Sequence, residues 1–252
     1  GKLSVDLGVP APNSLLLGKA TGLICGQFIG ILITKLRMPP FIVTLGSWSI
    51  FAALVTLVSE SATIRKVDLE ANAGLLLEMG ERISLGSGPS GTSAGGPFLM
   101  TGSVLMIVVA GIVWYMLSRT AFGRHVYAIG DDPNAARLSG IQVNRTLIGV
   151  YGLAGLLCGI AAWVLIGRVG AVSPLGNQTA NLDAITAVVI GGTSLFGGRG
   201  SIVGTLFGAL IVGVFDSGLS LTGVDPLWRQ LTVGGLIIGA VALDQWIRRL
   251  SS

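Results

Sequence analysis

The sequence predicts an all-α, polytopic transmembrane protein carrying a short capped helix in a cytoplasmic loop and a broken or re-entrant helix pair. Three observations point there. Only 11% of the 252 residues are charged, against about 25% in soluble domains, so the chain is too poor in charge to coat a globule. Its apolar runs approach the length of about 20 residues that a bilayer-crossing helix needs, and mean hydropathy is +0.80. The apolar-out, polar-in alternation of a barrel strand is absent. Glycine is abundant, at 39 residues, which suits membrane helices that approach closely through small side chains.

The apolar segments follow in order. Segment A, about 14–34, carries Gly18, Gly22, Gly26 and Gly30. Four-residue spacing sets them on one helix face, where another helix can pack backbone to backbone, either within the fold or in a second subunit. Segment B is about 41–59. A long mixed loop, about 60–96, precedes segment C at about 97–117. A polar connection, about 118–145, leads to segment D at about 146–167. A polar loop from Arg168 to Asn181 leads to two shorter runs, E (about 183–196) and F (about 201–216), joined by "GGRG". Asn181 or Asp183 is a plausible N-cap for E. Segment E is interrupted by Gly191-Gly192, and Thr193 and Ser194 follow. Broken backbone at membrane depth is tolerated only where protein or a watery cavity covers it. The pair therefore reads as a re-entrant hairpin or two short tilted helices beside a pathway, or else the glycines are packing spacers. Segment G is about 228–247. Together these make one transmembrane domain over 1–252. The chain opens without Met on "GKLSVDLGVPAPNS", which predicts a fragment or a lost N-terminal part.

Alternating the seven segments with 118–145 inside puts nine Lys and Arg residues on the inner side and six on the outer. Long loops count little in this balance, so 118–145 is assigned to the cytoplasm and 60–96 to the outside. The net charge of +4 reflects such loops rather than nucleic-acid binding. Cys25 and Cys158 lie within apolar runs and read as buried small hydrophobes rather than a disulfide or metal pair.

The polar connection holds "GRHVYAIGDDPNAARLSGI", Gly123 to Ile141. Asp132 suits an N-cap and Pro133 the first helical position. Asn134 through Ser139, including Ala135, Ala136 and Arg137, can form a helix that Gly140 closes in the left-handed conformation. At about 10 Å it is too short to stand alone. It must pack on its own membrane domain or dock in a partner.

Enzyme readings are disfavoured. Asp131-Asp132 resembles half of a diphosphate-binding metal motif, but no second acidic cluster shares its face, and Mg²⁺ needs carboxylates from two elements. Ser194 lacks a nearby base, since the single histidine, His125, lies in the polar connection. "GGRGS" lacks the Gly-Lys-Ser/Thr ending of a phosphate cradle. Asp183, Asp216 and Asp244 fall near segment ends, which disfavours an ion-coupled carrier. No metal site and no bound cofactor are expected on this chain.

"GRHVYAIGDDPNAARLSGIQVNR", "LDAITAVVIGGTSLFGGRGSIVGTLFGALIVG" and "LIIGAVALDQWIRR", together with "TKLRMPPFIVTLGSWSIF", resemble the permease subunits of bacterial ABC importers for monosaccharides. Those are of ribose, xylose and fructose type and are related to branched-chain amino acid permeases. "AIGDDPNAA", "WVLIGRVGAVSP" and "TSLFGGRGS" look closest to the fructose-type subgroup. The resemblance implies an inner-membrane permease dimer, cytoplasmic ATPase subunits that hold ATP and Mg²⁺, and a periplasmic sugar-binding protein. It also implies that N-terminal transmembrane segments are missing here. It implies that Gly123, Arg124, Ala128, Gly130, Asn134, Ala135, Ala136 and Gly140 with Ile141 form the element that couples to the ATPase, and Asp131, Asp132, Pro133 and Arg137 of the same stretch are candidates for that element too. Many members have an acidic residue where this chain has Asn134. Asn177, Gln178, Asn181, Asp183, Gly191, Gly192, Thr193 and Ser194 are candidates for the translocation path. Ordinary loop roles remain open for Asn177, Gln178 and Asn181. The alternative function is an ATP-independent membrane carrier or channel.

Overall fold

A computed structural model describes residues 10–59, 63–64, 74–84, 98–173, 180–194, 197–223, 225, 228, 231–232, 234–235 and 239. Most of segment G lies outside the described residues, as do Asn177 and Gln178. The helices are α1 (Ala11–Leu36), α2 (Pro40–Ser59), α3 (Thr101–Arg119), α4 (Ala121–Asp131), α5 (Pro133–Leu138), α6 (Val143–Val169), α7 (Ala180–Ile190) and α8 (Ile202–Leu221). Among the described residues, α1, α2, α3, α6 and α8 are long and apolar enough to cross a bilayer. Their large apolar side chains face outward, as with Phe41, Leu57 and Val214. A soluble protein would bury such a surface, whereas lipid tails accept it.

Several expectations are corrected. Segment F is not short: α8 has 20 residues, and only α7, with 11, falls below a spanning length. Segment C begins four residues later than expected, because Phe98–Met100 (β2) pairs antiparallel with Arg82–Ser84 (β1), joining Ser84 to Phe98 and Arg82 to Met100. The chain is helical as expected, with this one three-residue strand pair added among the described residues. The helix that α7 forms starts at Ala180, so Asn181 and Asp183 lie inside its first turn and neither is the N-cap. Asp216 sits within α8 rather than at a segment end. Cys158 is exposed on the chain and Cys25 partly so. The cover assumed for Cys158 does not come from the described residues of this chain.

The chain divides into two compact units. The first comprises Gly1–Val109 and Asn144–Gly176, and its centre is a seam between α1 and α6. A β-carbon placed on Gly22 would strike the carbonyl oxygen of Gly155, and one on Gly155 would strike that of Gly22. Gly26 meets the Tyr151 carbonyl in the same way, and a β-carbon on Gly30 would lie 2.9 Å from Ile148 Cα. Three of the four stripe glycines thus pack within the fold. Gly18 has nothing within 4 Å of its β-position. Close backbone approach of this kind replaces the hydrophobic drive that lipid removes.

Part of the 60–96 loop is built onto the same unit. Two 3-10 turns, Gly74–Leu76 and Glu78–Gly80, follow one another. Leu76 is buried among Leu15, Trp163, Ile166 and Val172. Trp163 Nε1 donates to the Leu75 carbonyl at 3.4 Å, Lys19 Nζ lies 4.6 Å from the Trp163 ring centre, and Ile64 bridges Val172. A β-carbon on Gly80 would strike the Gly167 carbonyl. What composition presents as a plain loop is partly a structured cap over the helix ends.

The second unit comprises Ala110–Val143 and Asn177–Ser252. There α7 and α8 run antiparallel in backbone contact, Ala187 against Gly208 and Gly191 against Gly204.

Candidate functional site: a capped helix pair and a glycine loop

The polar connection contains two helices, where the sequence suggested one. The first, α4, starts at Thr120, whose Oγ1 accepts the Gly123 amide at 3.4 Å and donates to the Met116 carbonyl at 2.6 Å. Gly123 is buried, and a β-carbon there would strike the Leu117 carbonyl. Its place is the α3–α4 corner rather than a docking face. The signal for α4 was legible as Thr120 followed by Phe122, Val126 and Ile129 at helical spacing. His125, Arg124 and the aspartates obscured it.

Asp132 joins the two helices. Its amide closes α4 by donating to the Ala128 carbonyl. Its Oδ1 opens α5 by accepting the amides of Asn134 at 2.7 Å and Ala135 at 3.2 Å. Pro133 follows at the first helical position, as expected. At the far end Gly140 takes φ +83°. The Gly140 amide donates to Arg137 and the Ile141 amide to Ala136, the paired bonds of a Schellman ending. A helix of six residues is held by its two ends.

The faces of α5 differ. Ala136 is buried, so it seats α5 on its own chain instead of presenting it to a partner. Asn134, Ala135 and Arg137 are exposed. Leu138 is 90% exposed, and sequence reasoning passed over it.

The C-terminal end of α4 meets the loop between α7 and α8. α7 ends in a second Schellman motif: Gly192, at φ +79°, donates to Val189, and Thr193 donates to Val188. The chain then doubles back, with the Ser194 amide donating to Arg199. Tyr127 Oη donates to the Gly200 carbonyl at 3.0 Å. A β-carbon on Gly130 would lie 2.7 Å from the Gly198 amide nitrogen, and one on Gly197 would strike the Gly130 carbonyl.

The described path candidates therefore separate into two groups. Gly191, Gly192, Thr193 and Ser194 belong to the loop region that α4 contacts. Asp183 lies toward the other end of α7. There it lines an open cleft of about 320 Å³ with Asp216, Ala187, Ala209 and Gly213. Asn181 is exposed in the first turn of α7. Among the described residues, no group of three or more His, Cys, Asp or Glu is placed to hold a metal ion.

Five membrane-capable helices among the described residues, a short helix packed antiparallel on one of them beside an open cleft, and a doubly capped polar helix describe a multi-pass membrane protein. The family model described as "Branched-chain amino acid transport system / permease component" matches residues 3–241, and the chain belongs to that family. It is 50% identical over 252 residues to the fructose import permease protein FrcC of Rhizobium meliloti, covering 100% of this chain and 68% of that one. It is 38% identical to the ribose import permease protein RbsC of Bacillus subtilis (94% and 69% covered). It is 32% identical to the xylose transport system permease protein XylH of Escherichia coli K12 (98% and 74% covered). No solved structure matches. The chain is a multi-pass membrane permease subunit.

Proposed function

We propose that this chain is the inner-membrane subunit of an ATP-driven monosaccharide importer, with a hexose such as fructose as its first candidate cargo. Two copies form the pathway. A periplasmic binding protein delivers the sugar, and cytoplasmic ATPase subunits hold ATP and Mg²⁺. The observation that carries this reading is α5. It is capped by Asp132, closed by Gly140, seated by Ala136 and exposes Leu138, which is the construction of a short rigid knob for a partner's groove. The fructose, ribose and xylose permeases named above support the sugar class. Asp183, Asp216 and the cleft they line supply hydrogen-bond acceptors of the kind a sugar's hydroxyls need.

The test is reconstitution of the full-length protein with its ATPase and binding protein in liposomes. Uptake of fructose, ribose or xylose should require ATP and the binding protein. Uptake driven by an ion gradient without ATP, with no ATPase retained on the purified permease, would establish the ATP-independent carrier instead.

A further inference from the structure

We infer that Tyr127 is a positioning residue that ties α4 and α5 to the α7–α8 pair, so that movement of α5 is delivered to the cleft through the glycines of 191–194 and 197–200. This rests on the coupling role proposed for α5. The two helices meet at Asp132, which ends α4 with its backbone and starts α5 with its side chain. From α4, two kinds of contact reach the loop. One is the hydrogen bond from Tyr127 Oη to the Gly200 carbonyl, at 3.0 Å. The other is backbone on backbone, where Gly130 meets Gly197 and Gly198 with no room for a β-carbon. Rotamer changes cannot absorb a displacement where no side chain intervenes, and close-packed contacts transmit strain.

Beyond the loop the chain of contacts continues without slack. A β-carbon on Gly200 would lie 2.8 Å from Thr193 Cγ2, Gly191 abuts Gly204, and Ala187 abuts Gly208. Ala187 itself lines the cleft with Asp183 and Asp216. The glycines of "GGTSLFGGRG" thus have a purpose that composition leaves open. They let two backbones and a phenol pack at one end of the helix pair whose other end holds the carboxylates.

The experiment uses the reconstituted importer and reads sugar uptake per ATP hydrolysed, with whichever of fructose, ribose and xylose the binding protein binds. Tyr127→Phe keeps the ring and removes the donor. Uptake per ATP should fall about fivefold, the size expected for one lost hydrogen bond. ATPase binding, ATP hydrolysis and the apparent KM for the loaded binding protein should stay unchanged. Gly130→Ala, which wedges the contact itself, should fall further. Ala135→Trp, on the exposed face of α5, serves as the control. If Ala135→Trp uncouples uptake while Tyr127→Phe and Gly130→Ala keep the full ratio, the route through the glycine loop is overturned and the coupling role of α5 stands. If Ala135→Trp also leaves the ratio intact, both fall.

Discussion

Gly22 and Gly155 face each other so closely that a β-carbon on either would collide with the other's carbonyl oxygen. The first prediction follows from that pair. Gly155→Val should destabilise the protein by at least the 1–3 kcal/mol typical of overpacking, seen as a lower unfolding temperature in detergent. Gly18→Ala, with open space at its β-position, should be neutral or slightly stabilising, by up to about 1 kcal/mol. Equal effects at the two sites would show that the α1–α6 seam is wrongly placed.

Asp132→Ala should remove the cap of α5 at a cost of about 1 kcal/mol. Amide exchange at Asn134 and Ala135, whose N–H groups bond Asp132 Oδ1, should quicken about fivefold. Asp132→Ser should restore most of the protection, because a hydroxyl also caps. Unaltered exchange in Asp132→Ala would mean that α5 is held from elsewhere.

Leu138 tests the partner face independently of the fold. With 90% of its surface exposed, Leu138→Ala should leave the unfolding temperature unchanged. If the ATPase covers this side chain, its affinity for the detergent-solubilised permease should drop about tenfold or more, from the 1.5–3 kcal/mol that burying a leucine contributes. Wild-type affinity would remove Leu138 from the interface.

Trp163 separates two contacts. Trp163→Phe loses the bond to the Leu75 carbonyl but keeps a ring beneath Lys19, so it should cost about 1 kcal/mol. Trp163→Leu loses both, adding about 0.5–2 kcal/mol for the cation–π contact. Limited proteolysis near residues 74–80 should follow the same order. Indistinguishable variants would show that the ring contact contributes nothing to the cap.

The cleft beside Asp183 and Asp216 can be filled. Ala209→Phe adds a ring at its wall on an exposed position of α8, so the fold should persist while sugar uptake falls if the path runs through this cleft. Full uptake would place the path elsewhere.

Legibility in the sequence followed the range of the interactions. The cap at Asp132, the proline after it and the turn at Gly140 are local chemistry, and the structure places them as read. The stripe of Gly22, Gly26 and Gly30 was visible, but its partner was not: nothing within α1 names Tyr151 or Gly155 as the opposing backbone. α4 was missed because its apolar positions are diluted by Arg124, His125 and Asp131. Ala136 and Gly123 look like contact residues in a motif, and only burial shows that they face inward. The tie between Tyr127 and Gly200 joins residues far apart in the chain, and neither type signals the other.

The seam has a consequence for how the chain is made. Gly26 finds its seat only when Tyr151 arrives, roughly 125 residues later, and at about 5–20 residues per second that is a wait of about 6–25 s. Throughout that interval the glycine face of α1 lacks the α6 backbone it packs against. Such a face can accept the wrong helix, including one from another nascent copy. Its pairing is therefore decided by the timing of synthesis and insertion as well as by fit.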